Sequence, residues 1–181
     1  MYQAIAVIEL KSIARGIEAA DAALKSAGVR LVSSHASCPG KYEIILTGVI
    51  SDVTAATEVV RNRFDDRMID SCVIGRIDPQ VITALFGTAP TEKVGSLGII
   101  ETFSAASIIK AADIAVKTAK VSVHELRLSR GMGGKGMVLI VGDVGDVTAA
   151  VEAGSKHAQE QGLFCNSAVI PAPHAELWEQ L

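Results

Sequence analysis

The residues that could do soft-ligand or acid–base chemistry in this 181-residue chain are few: three cysteines, at 38, 72 and 165, and four histidines. Cys38 stands in Ser37-Cys38-Pro39-Gly40-Lys41, where consecutive Pro and Gly mark a turn and leave a thiol at its bend. One thiolate alone is a weak metal signal, because soft metals and iron–sulfur clusters take several. No Cys-x-x-Cys occurs, which excludes zinc ribbons and two-cluster ferredoxins. His35 lies three residues before Cys38, and in a strand that spacing points the two side chains to opposite faces, so His35 is not grouped with it. Cys72 and Cys165 fall in the apolar runs Ser71-Cys72-Val73-Ile74 and Leu163-Phe164-Cys165 and read as buried small hydrophobes.

Other apparent motifs fail on context. Gly131-Met132-Gly133-Gly134-Lys135-Gly136 satisfies G-x-G-x-x-G, but the fingerprint needs a helix after it to hold a pyrophosphate, and the strand-like Met137-Val138-Leu139-Ile140-Val141 follows. A Walker loop fails because Gly136, not Ser or Thr, follows Lys135. Its glycines instead permit a tight turn. Asp65-Asp66 and Asp143/Asp146 read as helix-end and loop carboxylates, and nothing pairs them as general acid and base. The scattered histidines form no nucleophile arrangement. An enzyme is not expected.

Composition narrows the class further. The chain is 49% hydrophobic and 20% charged, with a net charge of −3, so it is globular. Its mean hydropathy, +0.36, is high for a soluble protein. Yet every apolar run is interrupted before the roughly 18 residues a membrane span needs. Excess apolar content without a span implies surface buried between subunits. No basic cluster occurs and aromatics make up only 4%, so neither a nucleic-acid footprint nor a base-stacking platform is expected. Met1 leads into Ala4-Ile5-Ala6-Val7-Ile8 without a basic region or cleavage site, so a cytoplasmic location with reduced thiols is expected.

The elements that must position these residues are duplicated. Ala6-Val7-Ile8-Glu9 reappears as Gly98-Ile99-Ile100-Glu101, and Ala23-Leu24-Lys25-Ser26-Ala27 as Ala115-Val116-Lys117-Thr118-Ala119, both at an offset of 92. Gly40-Lys41 matches Gly134-Lys135 and Asp52-Val53-Thr54-Ala55-Ala56 matches Asp146-Val147-Thr148-Ala149-Ala150 at 94, and Val73-Ile74 matches Val169-Ile170 at 96. Ile13, Ile17, Ala20, Leu24 and Ala27 follow helical spacing, as do Ala105, Ile109, Ala112, Val116 and Ala119, so each copy should bury that stripe. Ser12 and Ser104 are expected N-caps.

Each copy reads as strand, helix, strand, strand, helix, strand. Strands are expected at 3–10, 29–36, 41–49 and 69–77, then at 96–102, 121–129, 135–143 and 163–170. Helices are expected at 12–27 and 52–66, then at 104–119 and 146–160. The expected fold is α+β: two tandem ferredoxin-like β-α-β-β-α-β domains, each an antiparallel sheet with helices packed on it. The first domain spans 1–86, a linker 87–95, and the second domain 96–181.

This duplicated order resembles the bacterial microcompartment shell family. The resemblance rests on Gly98-Ile99-Ile100-Glu101-Thr102, Ala111-Ala112-Asp113 with Val116-Lys117, Gly134-Lys135, Gly142-Asp143-Val144-Gly145-Asp146-Val147 and Val169-Ile170-Pro171-Ala172-Pro173-His174, and it covers essentially the whole chain. It implies a non-enzymatic homotrimer, in which six domains make one hexagonal tile around a central pore and other microcompartment shell proteins are partners. It places Lys25 and Lys117 at tile-edge contacts. The family often carries Pro-Arg-Pro-His where this chain has Pro171-Ala172-Pro173-His174, so the arginine edge contact is missing from the second copy.

The resemblance also brings the turns toward the pore, with Ser37, Pro39 and Gly40 from one copy and Met132 and Gly133 from the other. A three-fold axis would gather three Cys38 thiolates, an arrangement that needs a metal to neutralise it. The Cys38-Pro39-Gly40-Lys41 turn is similar to that of the iron–sulfur, trimeric class of shell protein from propanediol-utilisation compartments, which implies one 4Fe–4S cluster per trimer, held by one Cys38 from each subunit. Electrons or clusters would then cross the shell, with a redox enzyme in the lumen as a partner. Two alternatives stay open on the sequence: a tile with an ordinary metabolite pore, and a ferredoxin-like regulator that senses a small molecule.

Overall fold

A computed structural model of the chain describes residues 4–87 and 95–181. The expected linker, 87–95, lies outside the described residues except at its two ends, as does the start at Met1. The described residues divide into two compact units.

The first unit holds residues up to Ile77 together with Ser104–Ser107 and Ser129–Gly134. Its elements are β1 (Ala4–Leu10), α1 (Ile13–Ser26), β2 (Arg30–Ser37), β3 (Lys41–Gly48), α2 (Ile50–Phe64) and β4 (Met68–Gly75). The sheet runs β2-β3-β1-β4, antiparallel throughout. β1 is buried along its whole length, as befits a central strand of apolar residues. One face carries Ala6, Ile8 and Leu10 with Ile44 and Leu46 against Val53, Ala56, Val60 and Phe64 of α2 and Ala19 and Ala23 of α1.

Of the apolar stripe on α1, Ala20 is buried and Ala27 packs partly against the core, but the three large residues are not buried. The buried residues of the helix are Gly16, Ala19, Ala20, Ala22 and Ala23, while Ile13, Ile17 and Leu24 are 42%, 55% and 39% exposed. The small residues win because α1 lies too close to the sheet for larger ones. A Cβ on Gly16 would stand 2.3 Å from the Tyr42 Cβ. In the second repeat Ala105, Ile109 and Ala112 are fully buried, as expected there.

The second unit begins with α3 (Pro79–Leu85), a helix additional to the expected elements. It continues with β5 (Ser96–Thr102), α4 (Ala105–Thr118), β6 (Val121–Leu128), β7 (Gly136–Gly142), α5 (Val144–Glu160), β8 (Phe164–Ile170) and α6 (Ala175–Trp178). Its sheet runs β6-β7-β5-β8, again antiparallel, so the two repeats share one topology and the expected α+β fold is correct. α3 is tied down by the Asp78 N–H donating to Asp113 Oδ1 (2.9 Å) and the Val123 N–H donating to Gln80 Oε1 (3.3 Å). Trp178 of α6 packs with Leu97, Leu139 and Val141. Gly98 lets α5 approach β5, since a Cβ there would lie 2.7 Å from Val147 and Val151. No helix among the described residues is long and apolar enough to cross a membrane.

Both expected caps form. Ser12 Oγ accepts from the Arg15 N–H at 3.4 Å and Ser104 Oγ from the Ser107 N–H at 2.9 Å.

Candidate functional site

The turn between β2 and β3 carries Cys38. Gly40 closes it with φ +94, a conformation that suits glycine, and the Gly40 N–H donates to the Ser37 carbonyl at 2.9 Å. The Cys38–Pro39 peptide is cis. Ser37 is buried, Cys38 is half-buried, and Pro39 and Gly40 are exposed. The thiol therefore stands on an accessible bend and not in the core.

A second turn, Ser129–Gly134, belongs to the same unit. Gly131, Gly133 and Gly134 all have positive φ, and the Met132 and Gly134 N–H groups both donate to the Ser129 carbonyl at 3.3 Å. Met132 is half-buried and Gly133 exposed. Gly134 lies against the cysteine turn: a Cβ there would be 2.8 Å from the Cys38 carbonyl oxygen and 3.0 Å from Pro39 Cδ. The expected turn residues thus fall on two turns that meet at Gly134. Lys25 and Lys117 stand near the C-terminal ends of α1 and α4, with Lys25 paired to Asp21 at 2.6 Å and Lys117 to Asp113 at 2.7 Å.

What joins the two turns is Lys41, the last residue of the Cys38-Pro39-Gly40-Lys41 motif. Its Nζ donates to the Gly134 carbonyl at 3.1 Å and to Glu9 Oε1 at 2.9 Å. Glu9 is fully buried on β1, and its Oε2 accepts from the Ala105 N–H at 3.1 Å. Burial pushes the Glu9 carboxyl up from 4.5 to about 7; Lys41 and the Ala105 N–H pull it down, and neighbouring Glu43 adds to the rise. Glu43 faces Glu9 across β1 and β3 and is also fully buried, with neither carboxylate oxygen accepting a hydrogen bond among the described residues. His35 Nε2 lies 3.4 Å from Glu43 Oε2. Burial and then the Arg130 charge hold the His35 pKa below its usual 6.5, against the opposing pull of Glu43. Only strand register could have exposed this cluster, because Glu9 and Glu43 lie far apart in sequence.

Among the described residues no three His, Cys, Asp or Glu side chains come together as metal ligands. One chain contributes one accessible thiol at the paired turns. Cys72 and Cys165 are half-buried on β4 and β8, where Cys72 Sγ lies 3.4 Å from the Ala106 carbonyl and Cys165 Sγ 3.9 Å from Glu101 Oε2.

Two ferredoxin-like modules in tandem, alike in topology and unlike at their turns, make this a duplicated α+β protein. The chain belongs to the BMC domain family, which matches residues 4–77 and 96–173. It is 41% identical over its full length to the bacterial microcompartment shell protein PduT of Citrobacter freundii, covering 98% of that protein. The shell protein EutM of Escherichia coli K12 matches 46% of the chain at 37% identity, over 84% of its own length, so one repeat here corresponds to most of that protein. The crystal structure of a microcompartment protein from Desulfitobacterium hafniense superposes with a TM-score of 0.85 at 41% identity, over 99% of both chains.

Proposed function

We propose that the chain is a structural shell protein of a bacterial microcompartment and not an enzyme, closing as a pseudohexameric homotrimer with the Cys38 turns around its centre. The full-length 41% identity to a shell protein supports the first part. The duplication supports the second, because fusing two like modules halves the number of chains a six-module ring requires. Lys25 and Lys117, at equivalent helix positions, serve the contacts to neighbouring shell proteins.

The observation that carries the site is the accessible thiol on the Cys38 turn, seated by Gly134 and by the Lys41–Glu9 pair. Among the described residues a single chain brings no ligand set together, so a 4Fe–4S cluster fits these residues only when three copies each lend one Cys38. Bound there, the cluster would supply one-electron chemistry, or be passed on whole, between a redox enzyme inside the compartment and the cytosol. Ser37, Pro39 and Gly40 hold the thiol at the bend. The second turn, with Met132 and Gly133, backs it, and Lys41 ties the two turns together by donating to Glu9 and to the Gly134 carbonyl.

Anaerobic purification tests this reading. The wild-type protein is expected to be brown, with visible absorbance that dithionite bleaches. Cys38→Ser should remove the colour and leave the number of chains per particle unchanged. A wild-type trimer that stays colourless after anaerobic reconstitution with iron and sulfide would defeat the cluster and leave a tile whose centre passes small metabolites.

A further inference from the structure

Glu9 and Glu43 are register partners on β1 and β3, and both are fully buried. Strand alternation turns them away from α1 and α2, because Ile8, Leu10, Ile44 and Leu46 pack on those helices. The charged residues of α1 and α2 therefore do not face the pair. Lys41 of β3 does, donating to Glu9 at 2.9 Å, and so does His35 of β2, whose Nε2 lies 3.4 Å from Glu43 Oε2. Asp70 of β4 is the register partner of Glu9 on its other side and accepts from Ser104 and Ser107. The Ala105 N–H donates to Glu9, and Arg130 of the second turn acts on His35.

Lys41 thus sets one positive charge against two buried carboxylates, and neither oxygen of Glu43 accepts a hydrogen bond among the described residues. An excess charge without partners is costly in such a place, and a bound proton removes it. Burial, with the Glu43 charge adding to it, raises the Glu9 carboxyl to about 7 against the pull of Lys41. Near neutral pH the two carboxylates are poised to exchange one proton as a unit.

The pair stands at the root of the cysteine turn. His35 pairs with Glu43 and Ser37 with Lys41, so Cys38 follows three residues beyond His35, about 10 Å at the rise of a strand. β2 is an edge strand and His35 is half-buried on it, which gives a proton from water a route to Glu43 that does not cross the core.

Resting on the cluster reading above, we propose that the Glu9–Glu43 pair takes up a proton when an electron is placed on the cluster at the Cys38 turns, and releases it when the electron leaves. The electron comes from a one-electron donor, which is oxidised: the redox partner of that reading, or dithionite in the test. The proton comes from water by way of His35 and ends on a carboxylate oxygen of the pair, so one O–H bond forms there and one breaks in the water.

The added negative charge favours the protonated pair. At about 10 Å and an effective dielectric near 20, a unit charge changes proton affinity roughly tenfold. Linkage is reciprocal, so each protonated pair favours reduction by the same factor. A tenfold change is 59 mV for one electron, and a trimer holds three such pairs.

The test is the midpoint potential of the anaerobically reconstituted trimer, read by dye-mediated titration from acid to alkaline pH. The wild-type potential should be level in acid and fall by at least about 59 mV as pH rises, with the fall beginning near pH 7. Glu9→Gln, loaded with its cluster, should give a level profile. Glu43→Gln removes a neighbouring negative charge and should move the start of the fall to lower pH. His35→Gln should keep the fall, because the pair and not the imidazole holds the proton. A wild type that stays colourless would overturn the cluster reading and this inference together. A coloured wild type with a level profile would overturn this inference alone, as would a fall that loaded Glu9→Gln keeps, that Glu43→Gln leaves unmoved or that His35→Gln abolishes. Should Glu9→Gln fail to load, the position of the fall in Glu43→Gln decides.

Discussion

Replacing Glu9 by Gln should make the protein more stable at pH 8 and leave it unchanged near pH 4.5. Glu9 is fully buried beside Glu43, and its carboxyl is raised from 4.5 to about 7 despite Lys41 at 2.9 Å. The folded protein thus holds this proton more tightly than the unfolded chain does. Its contribution to stability is fully present below about 4.5, is lost as pH rises to about 7, and then stays level. Over that span, at about 1.4 kcal/mol per pH unit, the loss comes to about 3 kcal/mol. Glu9→Gln keeps the shape and an acceptor for the Ala105 N–H but cannot ionise. Urea unfolding of both proteins at fixed concentration, from pH 4.5 to 8, gives the difference directly. His35, whose depressed pKa makes it destabilising as pH falls through 6.5, titrates in both proteins and cancels. A flat difference profile, or a Gln variant less stable at pH 8, would mean that the Lys41 charge outweighs burial and that Glu9 is ionised throughout.

The remaining tests probe close approach and assembly. Gly134→Ala adds a Cβ 2.8 Å from the Cys38 carbonyl at φ +85 and should cost about 1–3 kcal/mol in urea unfolding. Gly16→Ala forces α1 off Tyr42 and should cost about 1–3 kcal/mol, read as a lowered Tm. Cys38→Ser is expected to abolish iron–sulfur absorbance without changing particle mass.

The duplication and the apolar strand runs made the fold legible. Each of the eight strands and the four long helices lies within two residues of its expected ends, because alternation and helical spacing are local properties of the chain. α3 was readable as well: Asp78 caps it, Pro79 opens it, and both signals stand in the sequence. The buried face of α1 was not legible. Spacing showed an apolar stripe, but whether Ile17 or Ala19 faces the sheet depends on how near the Tyr42 ring lies, which is a tertiary fact. The site divides the same way. The turn chemistry of Cys38-Pro39-Gly40 and the glycines of 131–134 could be read directly. The anchoring by Lys41 could not, because it needs Glu9 from β1 and the Gly134 carbonyl from a turn more than 90 residues away.

The two repeats diverge most where the proposed function needs them to. Six identical modules around a ring would place six equivalent turns at the centre, and any cysteine on them would appear six times. Fusing the modules lets the first turn keep a thiol while the second gives up side chains altogether at Gly131, Gly133 and Gly134, and Gly134 is the position where a side chain would strike the Cys38 turn. The β1/β4 and β5/β8 strand pairs diverge as well: Asp70 accepts from Ser104, while its register equivalent Asn166 is exposed. Duplication followed by local divergence therefore does two separable things in this chain. It preserves the sheet and helix scaffold, and it allows one thiol per chain on the paired turns, so that a three-chain ring would bring together three thiolates instead of six.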